Sequence, residues 1–188
     1  MTFGRKVTPI MIQTKLKNGG ILATYVDCVH ALKRLKLEIF GSDVEQYSLI
    51  PSYMVELKIR GHGVKLEMVN DEFVRLSVIF REGLQAYKPY SERGISVDGT
   101  FMKTSVVGVL LVACFRNGNN EIQIIGFGLV SVENEDNWTW FLKFLLSHLQ
   151  PPPAFLISHR DKGLLKAMQT SAPGVPHFFL FSAFDGEV

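Results

Sequence analysis

The segment Val106–Phe115 (VVGVLLVACF) constrains this chain more than any other. It is apolar from end to end and is followed almost at once by Asn117-Gly118-Asn119-Asn120. It is about half the length needed to cross a bilayer and rich in β-branched residues, so it reads as a buried strand. Asn-Gly after such a run is a hairpin signal, and Glu121–Val132 (EIQIIGFGLVSV) supplies the returning strand. Ile95–Phe101 (ISVDGTF) forms a short strand ahead of both. Downstream, Glu135–Leu149 carries Trp138, Phe141, Leu142, Leu145, Leu146 and Leu149 at helical spacing, and Pro151-Pro152-Pro153 stops it. Ala154–Ser158 is short and almost wholly apolar, the pattern of a central parallel strand. A helix over Lys162–Thr170 and a strand over His177–Phe184 complete the series. The predicted order is β-β-β-α-β-α-β, an α/β chain with a mixed sheet and helices on its faces.

Ahead of this block the periodicity is mainly helical. Residues 20–40 repeat apolar side chains through Val26, Val29, Leu32, Leu35 and Ile39. A second helix is expected over 48–60, with Pro51 in its first turn, where a missing N–H is harmless. Val64–Val69 alternates as a strand, and 71–87 returns to helical spacing through Phe73, Leu76, Ile79, Phe80 and Leu84. The polar link from Lys88 to Gly94 marks a boundary between a mainly helical region, 1–93, and the α/β region, 94–188.

Composition excludes several classes. Hydrophobic residues make up 47% and charged residues 20%, too apolar for a disordered tail. No apolar run approaches the length of a membrane span, and the N-terminus lacks the apolar stretch of a secretory signal, so neither a membrane protein nor export is expected. Cys28 and Cys114 lie far apart in apolar contexts, which argues against a disulfide scaffold or a Cys-rich zinc site. Residues 1–93 carry a charge balance of +4 and the remainder −2. Lys33, Arg34, Lys36, Lys58, Arg60 and Lys65 are the candidate contacts for a polyanion such as DNA; an ordinary solvated surface fits the same residues.

In a sheet of this kind sites form at the carboxyl ends of strands. Asp98 stands in an apolar strand and is costly to bury without a cation or hydrogen bonds; a strand Asp open to solvent is the alternative. Ser158-His159-Arg160-Asp161-Lys162-Gly163 leaves the short apolar strand. If the strands ending in these two segments adjoin, Asp98 meets His159 and Asp161, and two carboxylates there hold Mg²⁺ for phosphoryl transfer. Asp161 also suits the N-cap of the next helix. His159-Arg160-Asp161 spells a protein-kinase triplet, but Lys166 stands where that pattern needs Asn, and no glycine-rich nucleotide loop precedes it. Glu133, Glu135 and Asp136 read as first-turn charges on the helix dipole. Trp138 and Trp140 fall on different helix faces, so one of them is expected in the core. His148 and His177 have no partner at metal-ligand spacing.

Four motifs occur in order: Ile95-Ser-Val-Asp-Gly-Thr-Phe-Met-Lys103, Gly126-Phe-Gly-Leu-Val-Ser-Val-Glu133, Trp138-Thr-Trp-Phe141, and Leu156-Ile-Ser-His-Arg-Asp-Lys-Gly-Leu164. Together they resemble the MULE (Mutator-like element) transposase domain, over about residues 90–175; Tyr47–Tyr53 and the helix before it are similar, more weakly, to the helical segment that precedes this domain. The resemblance implies a ribonuclease-H-like fold, a DDE-type site using Mg²⁺ or Mn²⁺, and DNA strand cleavage and joining in the nucleus. Asp98 matches the first catalytic Asp. His159 stands where the second is expected, with Asp161 two residues late. The family's Cys-x-x-His would fall near Leu180 and Ala183, and its last catalytic Glu lies beyond Val188, with Glu187 too early for that role. The expectation is a truncated, degenerate transposase segment without catalysis, in which Asp98, His159 and Asp161 are the residual metal ligands. The alternatives are a domesticated DNA-binding or transcription-regulating derivative, and a transposon remnant without activity. Phe178, Phe179, Phe181 and Phe184 are expected to form an apolar patch that favours self-association.

Overall fold

The computed structural model describes residues 7–102 and 108–179. The chain divides into two compact units, Met1–Leu49 and Ile50–Val188. In the first, helices α1 (Pro9–Asn18), α2 (Tyr25–Phe40) and α3 (Asp43–Ser48) follow one another. Their starts are written in capping residues. Thr24 and Asp27 form a capping box at α2, and Ser42 and Glu45 form another at α3. The box at Thr24 is why α2 begins at Tyr25 and not at residue 20. Helix α1, capped by Thr8 with Pro9 in its first turn, has no counterpart in the sequence reading. Cys28 is the buried hydrophobic residue of this unit among the described residues.

The second unit opens with α4 (Ile50–Ile59), then β1 (Gly63–Val69) and β2 (Glu72–Ile79). Here one expectation is overturned: residues 71–87 are not a single helix. Asn70 and Asp71 both take positive φ, 50° and 63°, the geometry of a tight hairpin turn, and Val69 pairs with Glu72. The apparent 3.6-residue spacing joins two elements, since Phe73, Leu76 and Ile79 belong to β2 while Leu84 belongs to α5 (Arg81–Tyr87). A short 3-10 segment, Lys88–Arg93, leads to β3 (Ile95–Phe101), β4 (Val109–Arg116), β5 (Ile122–Val130), α6 (Glu135–His148), β6 (Leu156–Ser158), α7 (Lys162–Ser171) and β7 (His177–Phe179). Val106, Val107 and Leu180–Phe184, assigned to strands from sequence, lie outside the described residues, as do Lys103 and Glu187.

All seven strands form one mixed sheet in the order β1-β2-β5-β4-β3-β6-β7. Strands β1 to β5 pair antiparallel; β3 with β6, and β6 with β7, pair parallel. The boundary expected at 93/94 falls inside this unit, because the β1–β2 hairpin joins the sheet through β5. The apolar stripe of α6 supplies the main core: Trp138, Phe141, Leu142 and Leu145 are fully buried, together with Val97, Leu111 and Leu164. Trp140 is buried as well, at 8% exposure, so both tryptophans are interior and not one of the two. Its ring packs under the Lys65 and Arg75 side chains, each 4.8 Å from the ring centroid. A smaller cluster of Met54, Leu76 and Val78 packs α4 against the hairpin. Among the described residues no helix is long and apolar enough to cross a membrane.

Candidate functional site

The parallel register of β3 and β6 sets the site. Val97 pairs with Ser158, the last residue of β6, so Asp98, midway along β3, lies beside His159, the first residue beyond β6. Asp98 Oδ2 lies 3.8 Å from His159 Nε2, with both side chains more than half exposed. That distance is too long for a hydrogen bond and makes an ion pair only when the imidazole is protonated. Asp98 Oδ1 accepts a hydrogen bond from the Gly99 N–H at 2.9 Å. The two segments singled out from sequence therefore do adjoin.

Asp161 takes its capping role. Its Oδ1 accepts from the Leu164 N–H at 2.8 Å, which fixes the start of α7. Beneath the turn, the fully buried Ser158 hydroxyl donates to the His159 carbonyl at 2.8 Å and lies 2.8 Å from His177 Nε2. Burial holds the His177 imidazole below its usual pKa. His177 is thus a support of the turn. Arg160 lies over the Phe179 ring at 5.5 Å.

Glu133 is the site group that sequence reasoning misses. Sequence alone places it among three first-turn charges, but Asn134 is the N-cap of α6, with its side chain accepting from the Asn137 N–H. Only Glu135 and Asp136 are in the first turn. Glu133 stands outside the helix, where its Oε1 accepts from the buried Trp138 indole N–H at 3.1 Å. Its carboxylate lies against Gly99: a Cβ there would fall 2.6 to 2.8 Å from Oε1, Cδ and Oε2. Burial pushes the Glu133 pKa above its usual value; the Trp138 N–H opposes this, and the charges of Asp161 and Asp98 add to it. The signal available in sequence is an Asn cap directly after Glu133 together with a glycine directly after Asp98.

The metal expected from the resemblance can be tested against this donor set. Hard divalent cations take about six or more oxygens at roughly 2.0–2.6 Å. One oxygen of Asp98 is engaged by Gly99 and one of Asp161 by Leu164, while His159 offers nitrogen. Among the described residues no three His, Cys, Asp or Glu side chains converge to hold a metal ion. As arranged, Asp98, His159 and Asp161 do not fit a Mg²⁺ or Mn²⁺ centre.

The candidate polyanion contacts fall in both units. Lys33, Arg34 and Lys36 are exposed on α2, with Lys33 and Lys36 about 60° apart around the helix axis and Arg34 about 100° from the first and about 160° from the second. Lys58 and Arg60 are exposed at the end of α4, and Arg60 pairs with Glu56 at 2.7 Å. Lys65 is drawn against Trp140 instead.

Residues 94–183 match the family model of the MULE transposase domain. No curated protein and no solved structure gives a significant match. The matched stretch begins one residue before β3 and contains Asp98, Glu133, His159 and Asp161. Residues 94–183 of this chain belong to the MULE transposase domain family.

Proposed function

We propose that the chain is a transposase-type protein with a ribonuclease-H-like core, descended from enzymes of metal-dependent DNA strand cleavage and transfer, and catalytically silent at its own strand-end site. The strand order β5-β4-β3-β6-β7, with the three antiparallel strands on one side and the two parallel ones on the other, supports the fold reading. The observation that supports silence is the parallel register that sets Asp98 beside the imidazole of His159, while the nearby carboxylates of Glu133 and Asp161 accept from the Trp138 indole and the Leu164 N–H instead of converging with Asp98 on a cation.

The test is cleavage of labelled DNA in Mg²⁺ and in Mn²⁺, comparing the protein with Asp98→Asn and His159→Asp. No cleavage by the unaltered protein is the expected result. Cleavage that disappears in Asp98→Asn would overturn the reading.

A non-catalytic DNA-binding role, exercised in the nucleus, is the second reading, and the exposed cations of α2 favour it. Changing Lys33, Arg34 and Lys36 to Glu is expected to weaken DNA binding and to flatten its salt dependence by about 0.9 in log–log slope for each phosphate no longer neutralised. Binding unchanged by the triple substitution would reject α2 as the DNA-facing element. The exposed Phe178 and Phe179 support self-association, which light scattering reads directly.

A further inference from the structure

Arg75 sits on β2, ahead of the family-matched segment, and its side chain is only 12% exposed. A buried guanidinium needs partners on all its N–H groups. Its Nε donates to Glu67 on β1 at 2.7 Å. Its Nη1 donates to Asp136 at 2.6 Å and to the Asn137 side-chain carbonyl at 2.8 Å, both in the first turn of α6. The guanidinium also lies 4.8 Å from the Trp140 ring centroid. The planar fork that reaches Glu67 on one side and α6 on the other is specific to arginine.

What Asn137 does with its remaining groups gives this arrangement a purpose. Asn137 is 7% exposed. With its carbonyl held by Arg75, its Nδ2 is left to donate, and it does so to the Val132 carbonyl at 2.9 Å. Its backbone N–H donates to Asn134 Oδ1 at 2.9 Å. The two residues that flank Glu133 are therefore both tied to Asn137. Glu133 in turn accepts from Trp138 and lies against Gly99, next to Asp98. On the far side of the same loop, Gly163 lies so close that a Cβ would approach the Asn134 carbonyl carbon and the Glu135 nitrogen to 2.9 Å. The loop from Val132 to Asn134 is thus held between the hairpin and the turn that carries His159 and Asp161.

We propose that Arg75 is a positioning residue of the strand-end site: it orients Asn137, Asn137 fixes the loop from Val132 to Asn134, and the loop holds the Glu133 carboxylate against Gly99, the residue after Asp98. The β1–β2 hairpin is then part of the site's machinery although it lies outside the matched domain. The inference concerns the site named above but does not depend on whether that site cleaves DNA.

The chain has two tryptophans, so its ¹H–¹⁵N spectrum carries two indole N–H signals, assignable with Trp138→Phe. The full chain is compared with Arg75→Met, Arg75→Lys and Asp136→Asn. Arg75→Met is expected to move both indole signals, Trp140 through removal of the stacked guanidinium and Trp138 through displacement of Glu133. Exchange of the Trp138 indole proton should quicken about tenfold, the effect of removing one hydrogen bond to a charged acceptor. Arg75→Lys keeps the cation and removes the fork, so it should move Trp138 in the same direction; it decides the matter if Arg75→Met does not fold. Asp136→Asn leaves the Arg75–Asn137 bond and should leave Trp138 in place. A Trp138 signal unmoved by both Arg75 variants while Trp140 shifts would overturn the proposal. So would an Asp136→Asn variant that moves Trp138 as far as Arg75→Met does, since Arg75 would then act only by holding α6 as a whole. Because no step of this test reads cleavage, its failure and that of the silent-site reading are separable.

Discussion

Gly163→Ala pits two rules against each other and lets the geometry choose. Gly163 lies in the first turn of α7, where helix propensity alone makes alanine the better residue by up to about 1 kcal/mol. An added Cβ, however, would stand 2.9 Å from the Asn134 carbonyl carbon, 2.9 Å from the Glu135 nitrogen and 3.1 Å from the Asn134 Cα. All three are backbone atoms, so no side-chain rotation relieves them. Retreat of the α6 start would strain the bonds that Asn137 and Arg75 make there. Overpacking of this kind costs about 1–3 kcal/mol. The clash outweighs the propensity, and a net destabilisation of about 1–2 kcal/mol is expected, or about 3–6 °C in Tm for a chain of this size. Gly99→Ala is the control. Its Cβ meets the Glu133 carboxylate, the far end of a flexible side chain, at 2.6 Å. That carboxylate swings aside and gives up the Trp138 bond, a cost of about 1–3 kcal/mol offset by about 0.5–1 kcal/mol of relieved glycine entropy. Urea and thermal unfolding measure both variants, and the Trp138 indole signal separates them, moving further in Gly99→Ala. A Gly163→Ala protein as stable as the unaltered one would mean that the Glu133 loop and the His159–Asp161 turn do not touch, and the site as described would fall.

Three further outcomes are expected. Asp161→Ala removes the cap of α7 and should cost about 1 kcal/mol, whereas Asp161→Asn keeps an acceptor for the Leu164 N–H and should cost less; equal costs in urea unfolding would deny the capping role. The folded state holds the Glu133 proton more tightly than the unfolded chain does, since its carboxyl is raised from 4.5 by burial first and by Asp161 and Asp98 after. Stability therefore declines as pH rises through and above 4.5, and Glu133→Gln, which keeps a carbonyl for Trp138, should flatten that decline; parallel pH profiles for the two proteins would refute it. His177 is shifted the other way, below 6.5, so the unfolded chain takes up that proton first as pH falls and stability drops below 6.5; a His177→Asn protein with an unchanged acid limb would count against it.

How far the residues foretell the structure depends on how local each signal is. The run VVGVLLVACF is uniformly apolar and the Asn-Gly turn after it is specific, so the β4–β5 hairpin is readable without a partner in view. The helix from Glu135 carries its own stop in three prolines. Strand β2 is not readable from periodicity, because Phe73, Leu76 and Ile79 satisfy a helical repeat, and the residues that decide, Asn70 and Asp71, act through positive φ at a two-residue turn. The adjacency of Asp98 and the His159–Asp161 turn is legible because a short apolar strand after a crossover helix seeks a parallel neighbour. Glu133 is not, because its role comes from an indole five residues on and from the empty space at Gly99, neither of which has a sequence period. Trp140 escapes the sequence for a related reason: its helix face looks polar there, and the hairpin that covers it comes from the other half of the chain.

The charges at the strand ends give the silent-site reading its physical sense. Sites that bind two divalent cations gather carboxylates whose mutual repulsion only the cations relieve. Here Asp98, Glu133 and Asp161 are near enough for the first and last to raise the proton affinity of the second, so some repulsion persists. Each carboxylate nevertheless has a donor of its own: the Gly99 N–H for Asp98, the Trp138 indole for Glu133 and the Leu164 N–H for Asp161. The neighbour that would have added a further negative charge is instead His159, a group that can be neutral or cationic. Protein N–H groups thus engage an oxygen of each carboxylate, where a metal centre leaves those oxygens to its ions. On this argument His159→Asp alone should raise repulsion without creating a working centre, because the three existing carboxylates would still be turned toward their own donors.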